Sequence, residues 1–334
     1  MKLGLAGDTM LGRSVAQALA SKPPTALFSP ELVEAALEAD LFVLNLECCI
    51  SERGTPWPDP FKPFFFRAPP VAVEALALLG VDCVTLANNH ALDFGADALL
   101  DTVEHLRAAG IASVGAGADL EQARAPAVLE RDGFRLGVIG VTDHPAEYAA
   151  TADRPGVVHA DLDHGLPDWL HEALRTVDAD AVLVSPHWGP NMVAEPLRRV
   201  RQAAAALLGS GATLLAGHSA HVFHGVERDV IYDLGDFVDD YATDPILRND
   251  LGLLFLVTLE KQGPVRLEAL PLKLDFCHTR VAEGDDAAWI RRRFHEACAR
   301  LGTDVRDERG RLVVTWPVQI AADSADIGVY PRLR

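Results

Sequence analysis

Five short polar clusters in this chain carry the side chains that proteins use to hold divalent metal ions. They are Gly7-Asp8, Asn45-Leu46-Glu47, Asn88-Asn89-His90, His187-Trp188-Gly189 and Gly217-His218-Ser219-Ala220-His221. Carboxylate oxygens, amide oxygens and imidazole nitrogens are the side-chain ligands of hard or borderline metal ions. The clusters therefore indicate metal-dependent chemistry, provided that the fold brings them to one place.

A short apolar run precedes each cluster, and these runs predict the buried strands of an α/β protein. The runs are Lys2–Ala6, Leu41–Leu44, Val84–Ala87, Ala181–Val184 and Thr213–Ala216. Such runs are apolar on both faces, as in strands covered on each side. In α/β proteins the ligand site lies beyond the carboxyl ends of the strands, so we expect the five clusters to converge. Helical patterns alternate with the runs, and a hairpin pattern around Arg131-Asp132-Gly133 favours a second sheet.

Composition and charge exclude several classes of protein. The chain has 334 residues, with 30 Lys plus Arg against 48 Asp plus Glu, and a net charge of −18. This charge disfavours nucleic acid, anionic membranes and large polyanions as partners. The chain begins with a short strand pattern that leaves no room for a signal peptide, and it has no apolar stretch of about 18 residues. We therefore expect a cytoplasmic enzyme, and five scattered cysteines without a C-x-x-C pair agree with reduced thiols.

The segment Ser51–Pro70 is a long insertion rich in proline and aromatic residues. A long loop directly after a candidate ligand is usually functional or disordered, and its aromatic content favours an ordered loop. Two interpretations stay open: the loop walls the pocket, with Arg53 or Arg67 meeting an anionic group, or it packs on the core.

Taken in order, six motifs resemble the signature of the CapA family, the capsule and poly-γ-glutamate biosynthesis proteins. They are Gly7-Asp8-Thr9-Met10-Leu11-Gly12-Arg13, Asn45-Leu46-Glu47, Asn88-Asn89-His90-Ala91-Leu92-Asp93-Phe94-Gly95, His187-Trp188-Gly189, Gly217-His218-Ser219-Ala220-His221-Val222 and Asp233-Leu234-Gly235-Asp236-Phe237. That family is similar in turn to calcineurin-like metallophosphatases. The resemblance implies an α/β fold, a four-layer α-β-β-α sandwich, with one or two metal ions at the strand ends. We expect a CapA-like domain over residues 1–280, with residues 281–334 forming a C-terminal helix and tail packed on it.

The resemblance also implies roles for individual residues. The metal ligands would be Asp8, Glu47, Asn89, His187, His218 and His221, with Glu47 as the bridging carboxylate. This set of donors suits Mn, Fe or Zn better than Mg or Ca. His90 resembles the residue that protonates a leaving group, and we group it with Asn89 and Asp93 as catalytic. For substrate binding we predict Arg13, Arg53, Arg67 and Trp188, although Trp188 also has the pattern of a core residue.

One departure from the wider phosphatase pattern concerns the second metal. Those enzymes carry D-x-H where this chain has Asp8-Thr9-Met10, and Ser219 stands where many relatives of the CapA type have another histidine. Methionine is a poor ligand for a hard ion, so one metal position lacks an imidazole. Three residues are candidates to replace it, namely Asp93, Asp236 and His224, and His144 is a further residue that ends a strand near the site.

The leading functional hypothesis is a metal-dependent hydrolase with metal-bound hydroxide as the nucleophile. Its substrate would be a small anionic or polyglutamate-like molecule with a phosphoester or an amide bond, including a γ-glutamyl amide. The alternative is a non-catalytic or tailoring factor in capsule or poly-γ-glutamate synthesis that binds an anionic polymer.

Overall fold

The computed structural model of the chain describes residues 1–316. Its helices are α1 (Arg13–Ser21), α2 (Pro30–Ala36), α3 (Ala72–Leu78), α4 (Gly95–Ala108), α5 (Leu120–Arg124), α6 (Asp168–Thr176), α7 (Arg198–Gly209) and α8 (Gly284–Arg300). Its strands are β1 (Lys2–Thr9), β2 (Leu41–Leu46), β3 (Cys49–Ile50), β4 (Arg67–Ala68), β5 (Cys83–Thr85), β6 (Ala112–Val114), β7 (Ala116–Gly117), β8 (Ala127–Arg131), β9 (Phe134–Thr142), β10 (Gly156–Val157), β11 (Ala181–His187), β12 (Leu214–Ala216), β13 (Val226–Glu227), β14 (Val230–Ile231), β15 (Asp236–Val238), β16 (Leu251–Glu260), β17 (Gly263–Asp275), β18 (His278–Val281), β19 (Arg306–Glu308) and β20 (Arg311–Thr315).

Most strands belong to two mixed sheets. The ten-stranded sheet has the order β19-β20-β17-β16-β1-β2-β5-β6, with β15 beside β1 and β18 beside β17. The six-stranded sheet has the order β13-β14-β12-β11-β9-β8. The predicted hairpin is present as the antiparallel pair β8 and β9. The prediction that the strands form more than one sheet is thus confirmed.

Three apolar cores separate four layers. Along β2, Leu41 and Val43 enter the core between the two sheets, whereas Phe42 and Leu44 enter the core under helices α1 to α4. This alternation follows from the two-residue period of a strand, and it explains why all residues from Leu41 to Leu44 are apolar. Helices α5 to α7 cover the outer face of the six-stranded sheet over a third core. The chain is therefore the four-layer α-β-β-α sandwich that the resemblance implies.

The C-terminal part of the described chain closes one side of the sandwich. Ile290 and Phe294 of α8 enter the core between the sheets, and β20 pairs with β17 of the ten-stranded sheet. Helix α8 and strand β20 thus pack against the rest of the sandwich, and residues 317–334 of the predicted C-terminal segment lie outside the described residues.

Two further properties bear on the sequence-based expectations. All five cysteines are buried free thiols. Between residues 1 and 316, none of the helices combines the length and the apolar character that crossing a membrane requires.

Candidate metal centre

The ten-stranded sheet supplies oxygen donors at the carboxyl ends of adjacent strands. Asp8 lies near the end of β1, Glu47 follows β2 and Asn89 comes after β5. These three strands run parallel, so their carboxyl ends lie at the same edge of the sheet. The side chains of Asp8 and Glu47 are fully buried there.

The six-stranded sheet supplies nitrogen donors at its facing edge. His187 is the last residue of β11, and His218 and His221 follow β12, which runs parallel to β11. A backbone bridge joins His187 to His218, and all three imidazoles are buried. Oxygen donors thus come from one sheet and nitrogen donors from the other.

A first group of donors consists of Asp8, His187 and His218, whose potential ligand atoms lie within 4.8 Å of one another. The Nδ1 atoms of the two histidines are 2.8 Å apart. His218 Nδ1 lies 3.9 Å from Asp8 Oδ1, and His187 Nδ1 lies 3.4 Å from Glu47 Oε1. Glu47 therefore stands beside this group.

A second group consists of Asp8, His221 and Asp236, within the same 4.8 Å limit. His221 Nδ1 lies 3.2 Å from Asp8 Oδ2 and 2.7 Å from Asp236 Oδ1. The carboxylate common to both groups is Asp8. The bridging role of Glu47 stays a prediction, and the distances place Asp8 between the two groups.

Met10 takes no part in either group. Its sulfur accepts a hydrogen bond from Gly12 N at 3.0 Å, and its side chain is buried in the core under the helices. Ser219 is also occupied elsewhere, since its hydroxyl donates to Gly189 O at 3.0 Å. Neither position offers a donor in place of the missing imidazole.

Several donor atoms are buried without a hydrogen-bond partner among the described residues. They are Asp8 Oδ2, Glu47 Oε2, Asn89 Oδ1, His187 Nε2 and Asp236 Oδ2. An unpaired polar atom in the interior costs about 1–3 kcal/mol, so five of them in one place need a common partner. Within residues 1–316, no Lys or Arg forms an ion pair with Asp8, Glu47 or Asp236. The donor set therefore fits divalent cations.

The pKa values of the buried carboxyl groups agree with a role as ligands of a cation. Burial raises the pKa of Asp8 and raises the pKa values of Glu47 and Asp236 well above the ordinary range. The charge of Asp8 adds to the increase at Glu47. A bound cation would counter the burial and hold these groups ionised.

The imidazoles divide into two kinds. Burial, reinforced by neighbouring imidazoles, lowers the pKa of His187 well below its ordinary value, and burial lowers the pKa of His218 to about 3. Both rings are therefore neutral and free to act as ligands. Burial also lowers the pKa of His221, but the charges of Asp236, Asp8 and Glu47 outweigh it, so this pKa lies well above its usual range.

His90 stands beside the donor groups in a pair with Asp93. His90 Nδ1 lies 2.7 Å from Asp93 Oδ2, and the Phe66 ring packs on the imidazole with the centroids 4.2 Å apart. Lys62 Nζ lies 3.0 Å from Asp93 Oδ1 and donates to Asn89 O at 2.7 Å. Burial lowers the pKa of His90, and Asp93 offsets part of that decrease. Asp93 is thus a partner of His90, not a member of either donor group.

The four predicted substrate-binding residues lie outside the two donor groups. Arg53 pairs with Asp101 on the surface, and Arg67 donates to Arg53 O while its guanidinium covers the Phe94 ring. Trp188 is buried in the core under α6 and α7, where its indole donates to Tyr232 O at 2.9 Å.

Arg13 contacts the proline-rich loop. It pairs with Asp240 at 3.3 Å and lies over the ring of Phe66. The loop thus walls the site through Phe66 and Lys62, while Arg53 and Arg67 hold other parts of the loop.

Two histidines with unassigned roles have different positions. The His144 ring lies 5.0 Å from the His187 ring, centroid to centroid, and Asp143 contacts His144 Nδ1. His224 Nε2 lies 2.9 Å from Val193 O, away from both donor groups. Of the three candidates to replace the missing imidazole, only Asp236 lies in a donor group.

Sequence reasoning missed two residues of the site. The motifs predict no role for Asn45, although its amide nitrogen donates to Asp8 Oδ1 at 2.7 Å and to Glu47 Oε1 at 3.1 Å. Its position in the Asn45-Leu46-Glu47 motif was a usable signal, because residues two apart on a strand share a face. Lys62 had no such signal, since it lies in an irregular loop.

Known proteins resemble this chain over most of its length. The profile of the family described as "Bacterial capsule synthesis protein PGA_cap" matches residues 2–241. A "Probable polyglutamine synthesis accessory protein" of Mycobacterium tuberculosis is 33% identical over 297 residues, which cover 83% of this chain and 77% of the relative. The "PGA biosynthesis protein CapA" of Bacillus subtilis is 29% identical over 275 residues, which cover 80% of this chain and 70% of that protein.

Among solved structures, a "novel phosphatase" from Mycoplasma pneumoniae aligns with a TM-score of 0.49 at 14% identity, covering 82% of this chain and 94% of that chain. The family assignment rests on the sequence matches, which extend from β1 through the sixth motif. The chain belongs to the family of bacterial capsule synthesis proteins described as PGA_cap, and it is related by sequence to the CapA protein of Bacillus subtilis.

Proposed function

We propose that this protein is a metal-dependent hydrolase of the CapA type that cleaves a phosphoester or an amide bond, including a γ-glutamyl amide, in a small anionic or polyglutamate-like substrate. The observation that carries the proposal is the group of five buried, unpartnered donor atoms at the meeting edge of the two sheets. Residues Asp8, Glu47, Asn89, His187, His218 and His221 would hold one or two Mn, Fe or Zn ions. Such ions lower the pKa of a bound water and neutralise negative charge that develops on a substrate.

The protein's own contribution to proton transfer lies in His90. Asp93 accepts a hydrogen bond from His90 Nδ1 and thereby leaves Nε2 as the nitrogen that gives or takes a proton. The Phe66 ring on one side of the imidazole fixes its orientation and excludes water. A leaving group within reach of Nε2 would receive its proton there.

The names of the relatives favour a second candidate function. The mycobacterial relative is called a probable polyglutamine synthesis accessory protein, and the Bacillus subtilis relative a PGA biosynthesis protein. A non-catalytic or tailoring factor of capsule or poly-γ-glutamate synthesis would bind an anionic polymer at the same site without cleaving it. The net charge of −18 opposes long-range attraction of a large polyanion, so we place the hydrolase first.

Replacement of His90 by Ala separates the two functions. Purified protein is analysed for metal content and then assayed with phosphoesters, phosphodiesters and γ-glutamyl amides. For a hydrolase, the variant should lose activity by about 10²- to 10⁴-fold while metal content and affinity for the substrate persist. Unchanged activity in the variant, or wild-type protein without any transition metal, contradicts the proposal.

A matched control is available on the surface. His164 and Asp161 form an exposed pair with the same three-residue spacing and an Nδ1 to Oδ2 distance of 2.8 Å. Because this pair lies outside both donor groups, His164→Ala should leave hydrolysis unchanged.

A further inference from the structure

Asp8 and Asp236 are direct partners in the parallel pairing of β1 and β15. The two strands approach closely, since Asp8 N donates to Gly235 O at 2.9 Å and a Cβ added at Gly7 would lie 1.9 Å from Gly235 O. Backbone pairing therefore fixes the distance between the two carboxylates, and His221 bridges them through Nδ1.

The pair of carboxylates offers unpartnered oxygen atoms to a cation. Asp8 Oδ2 and Asp236 Oδ2 are both buried without a hydrogen-bond partner, and in the described chain His221 is the nearest basic side chain to Asp236. The two buried carboxylates carry the two negative charges that one divalent ion would balance, and the imidazole of His221 would be a third ligand.

The two donor groups differ in chemistry. The first has two imidazoles and the shared carboxylate of Asp8, whereas the second has one imidazole and two carboxylates. Carboxylate-rich positions suit harder ions such as Mn²⁺, and imidazole-rich positions suit Zn²⁺. Met10 is turned into the core, and Asp236 supplies the third donor of the second group.

We propose that Asp236, with Asp8 and His221, completes a second and oxygen-rich metal position that takes a hard divalent cation of the Mn²⁺ type, beside an imidazole-rich position for a Zn²⁺-type ion. This inference rests on the metal centre of the proposed function. It adds a ligand that replaces the missing imidazole, and it predicts that the two positions prefer different metals.

The experiment is a titration of metal-free protein. One equivalent of Zn²⁺ is added first, and free Mn²⁺ is then followed by electron paramagnetic resonance as Mn²⁺ is added. Wild-type protein should bind one Mn²⁺ beside the Zn²⁺. Loss of even an outer partner of a ligand costs about 10- to 100-fold in affinity, so Asp236→Asn should weaken the binding of Mn²⁺ by at least that factor.

Asp240→Asn is the matched control. Asp240 is buried in the same segment and also has an unpartnered oxygen, but it belongs to neither donor group. This variant should bind Mn²⁺ like the wild type. Equal losses in both variants would show a general effect of charge and would overturn the role of Asp236.

Folding of the variant is checked through its thermal midpoint. Metal-free Asp236→Asn should unfold at or above the wild-type temperature, because it removes one buried carboxylate, while its stabilisation by Mn²⁺ should be largely lost. Wild-type binding of Mn²⁺ by Asp236→Asn overturns this inference alone. Wild-type protein that binds neither metal overturns this inference and the proposed function together.

Discussion

Asn45 holds Asp8 in place: its side-chain amide donates to Asp8 Oδ1 at 2.7 Å, and the same nitrogen donates to Glu47 Oε1 at 3.1 Å. The amide oxygen of Asn45 in turn accepts a hydrogen bond from Asn88 at 2.9 Å. A neutral residue thus joins two buried carboxylates and leaves one oxygen of each free for a metal.

Asn45→Ala should therefore weaken metal binding. The substitution removes both hydrogen bonds that orient the two carboxylates, and the loss of such an outer partner costs about 10- to 100-fold in affinity. Calorimetric titration of metal-free protein with Zn²⁺ measures the effect. Asn249→Ala is the control, because Asn249 is also buried but, among the described residues, its side chain bonds to backbone atoms of Ala242 and Asp244. Equal affinities of Asn45→Ala and wild type would show that Asn45 does not position the ligands.

Metal binding should release protons. Burial raises the pKa values of Glu47 and Asp236 well above the ordinary range, so these groups retain protons to a higher pH than free carboxyl groups do. A metal must displace those protons, and its apparent affinity should fall as the pH is lowered from 8 to 5.5. Calorimetry with Zn²⁺ in two buffers of different ionisation enthalpy counts the released protons. A binding heat that does not depend on the buffer is the contrary result.

Lys62 should stabilise the loop and the His90 pair together. Its ammonium group is largely buried between Asp93 Oδ1 and Asn89 O, so Lys62→Met leaves Asp93 without its cation. Breaking a buried ion pair in this way costs about 3 kcal/mol of unfolding free energy. Urea denaturation measures the loss, and the rate of hydrolysis should fall in parallel because Asp93 orients His90.

Arg53 lies on the same loop and provides the comparison. It pairs with Asp101 at the surface, where ion pairs contribute little. Arg53→Met should leave the denaturation midpoint and the activity near those of the wild type. Lys62→Met with the same small effect as Arg53→Met would mean that the loop is held by its aromatic residues alone.

His224 should make the metal-free protein sensitive to acid. Burial lowers its pKa from 6.5 to about 4, so the folded state disfavours the protonated ring. Because the pKa of His224 is lower in the folded than in the unfolded state, the free energy of unfolding is highest above pH 6.5 and decreases as the pH falls through 4. The difference between the two pKa values corresponds to about 3 kcal/mol of unfolding free energy. Wild type and His224→Gln are compared by urea denaturation at pH 7.5 and pH 4 with a chelator present. The variant should lose less stability between the two values, and parallel losses would assign the acid sensitivity to other groups.

The sequence predicted the layered fold and most of the donor set because both follow from strand ends. A buried strand followed by Asp8 or His187 places that side chain at the carboxyl edge, whatever the exact register is. Asp236 could be named only as one of three candidates, since its partnership with Asp8 depends on the pairing of β1 with a strand more than two hundred residues away.

The directions of the Arg53, Arg67 and Trp188 side chains could not be predicted from strand ends. A charged side chain on an irregular loop has no period that gives its direction, so Arg53 and Arg67 could not be distinguished from Lys62 by sequence. Trp188 directly follows His187, and adjacent residues on an extended chain point to opposite sides. The histidine faces the donor groups, and the indole enters the core under α6 and α7.

The division of donors between the sheets makes a bound ion a cross-link. All of the oxygen donors lie at the edge of one sheet and all of the imidazoles at the edge of the other, so an ion coordinated by both closes a contact between segments far apart in the chain. Because neither sheet supplies both kinds of these donors, the free energy of metal binding would stabilise the packing of one sheet against the other. The metal content of a preparation would then report the fraction of molecules in which the two sheets are correctly packed against each other.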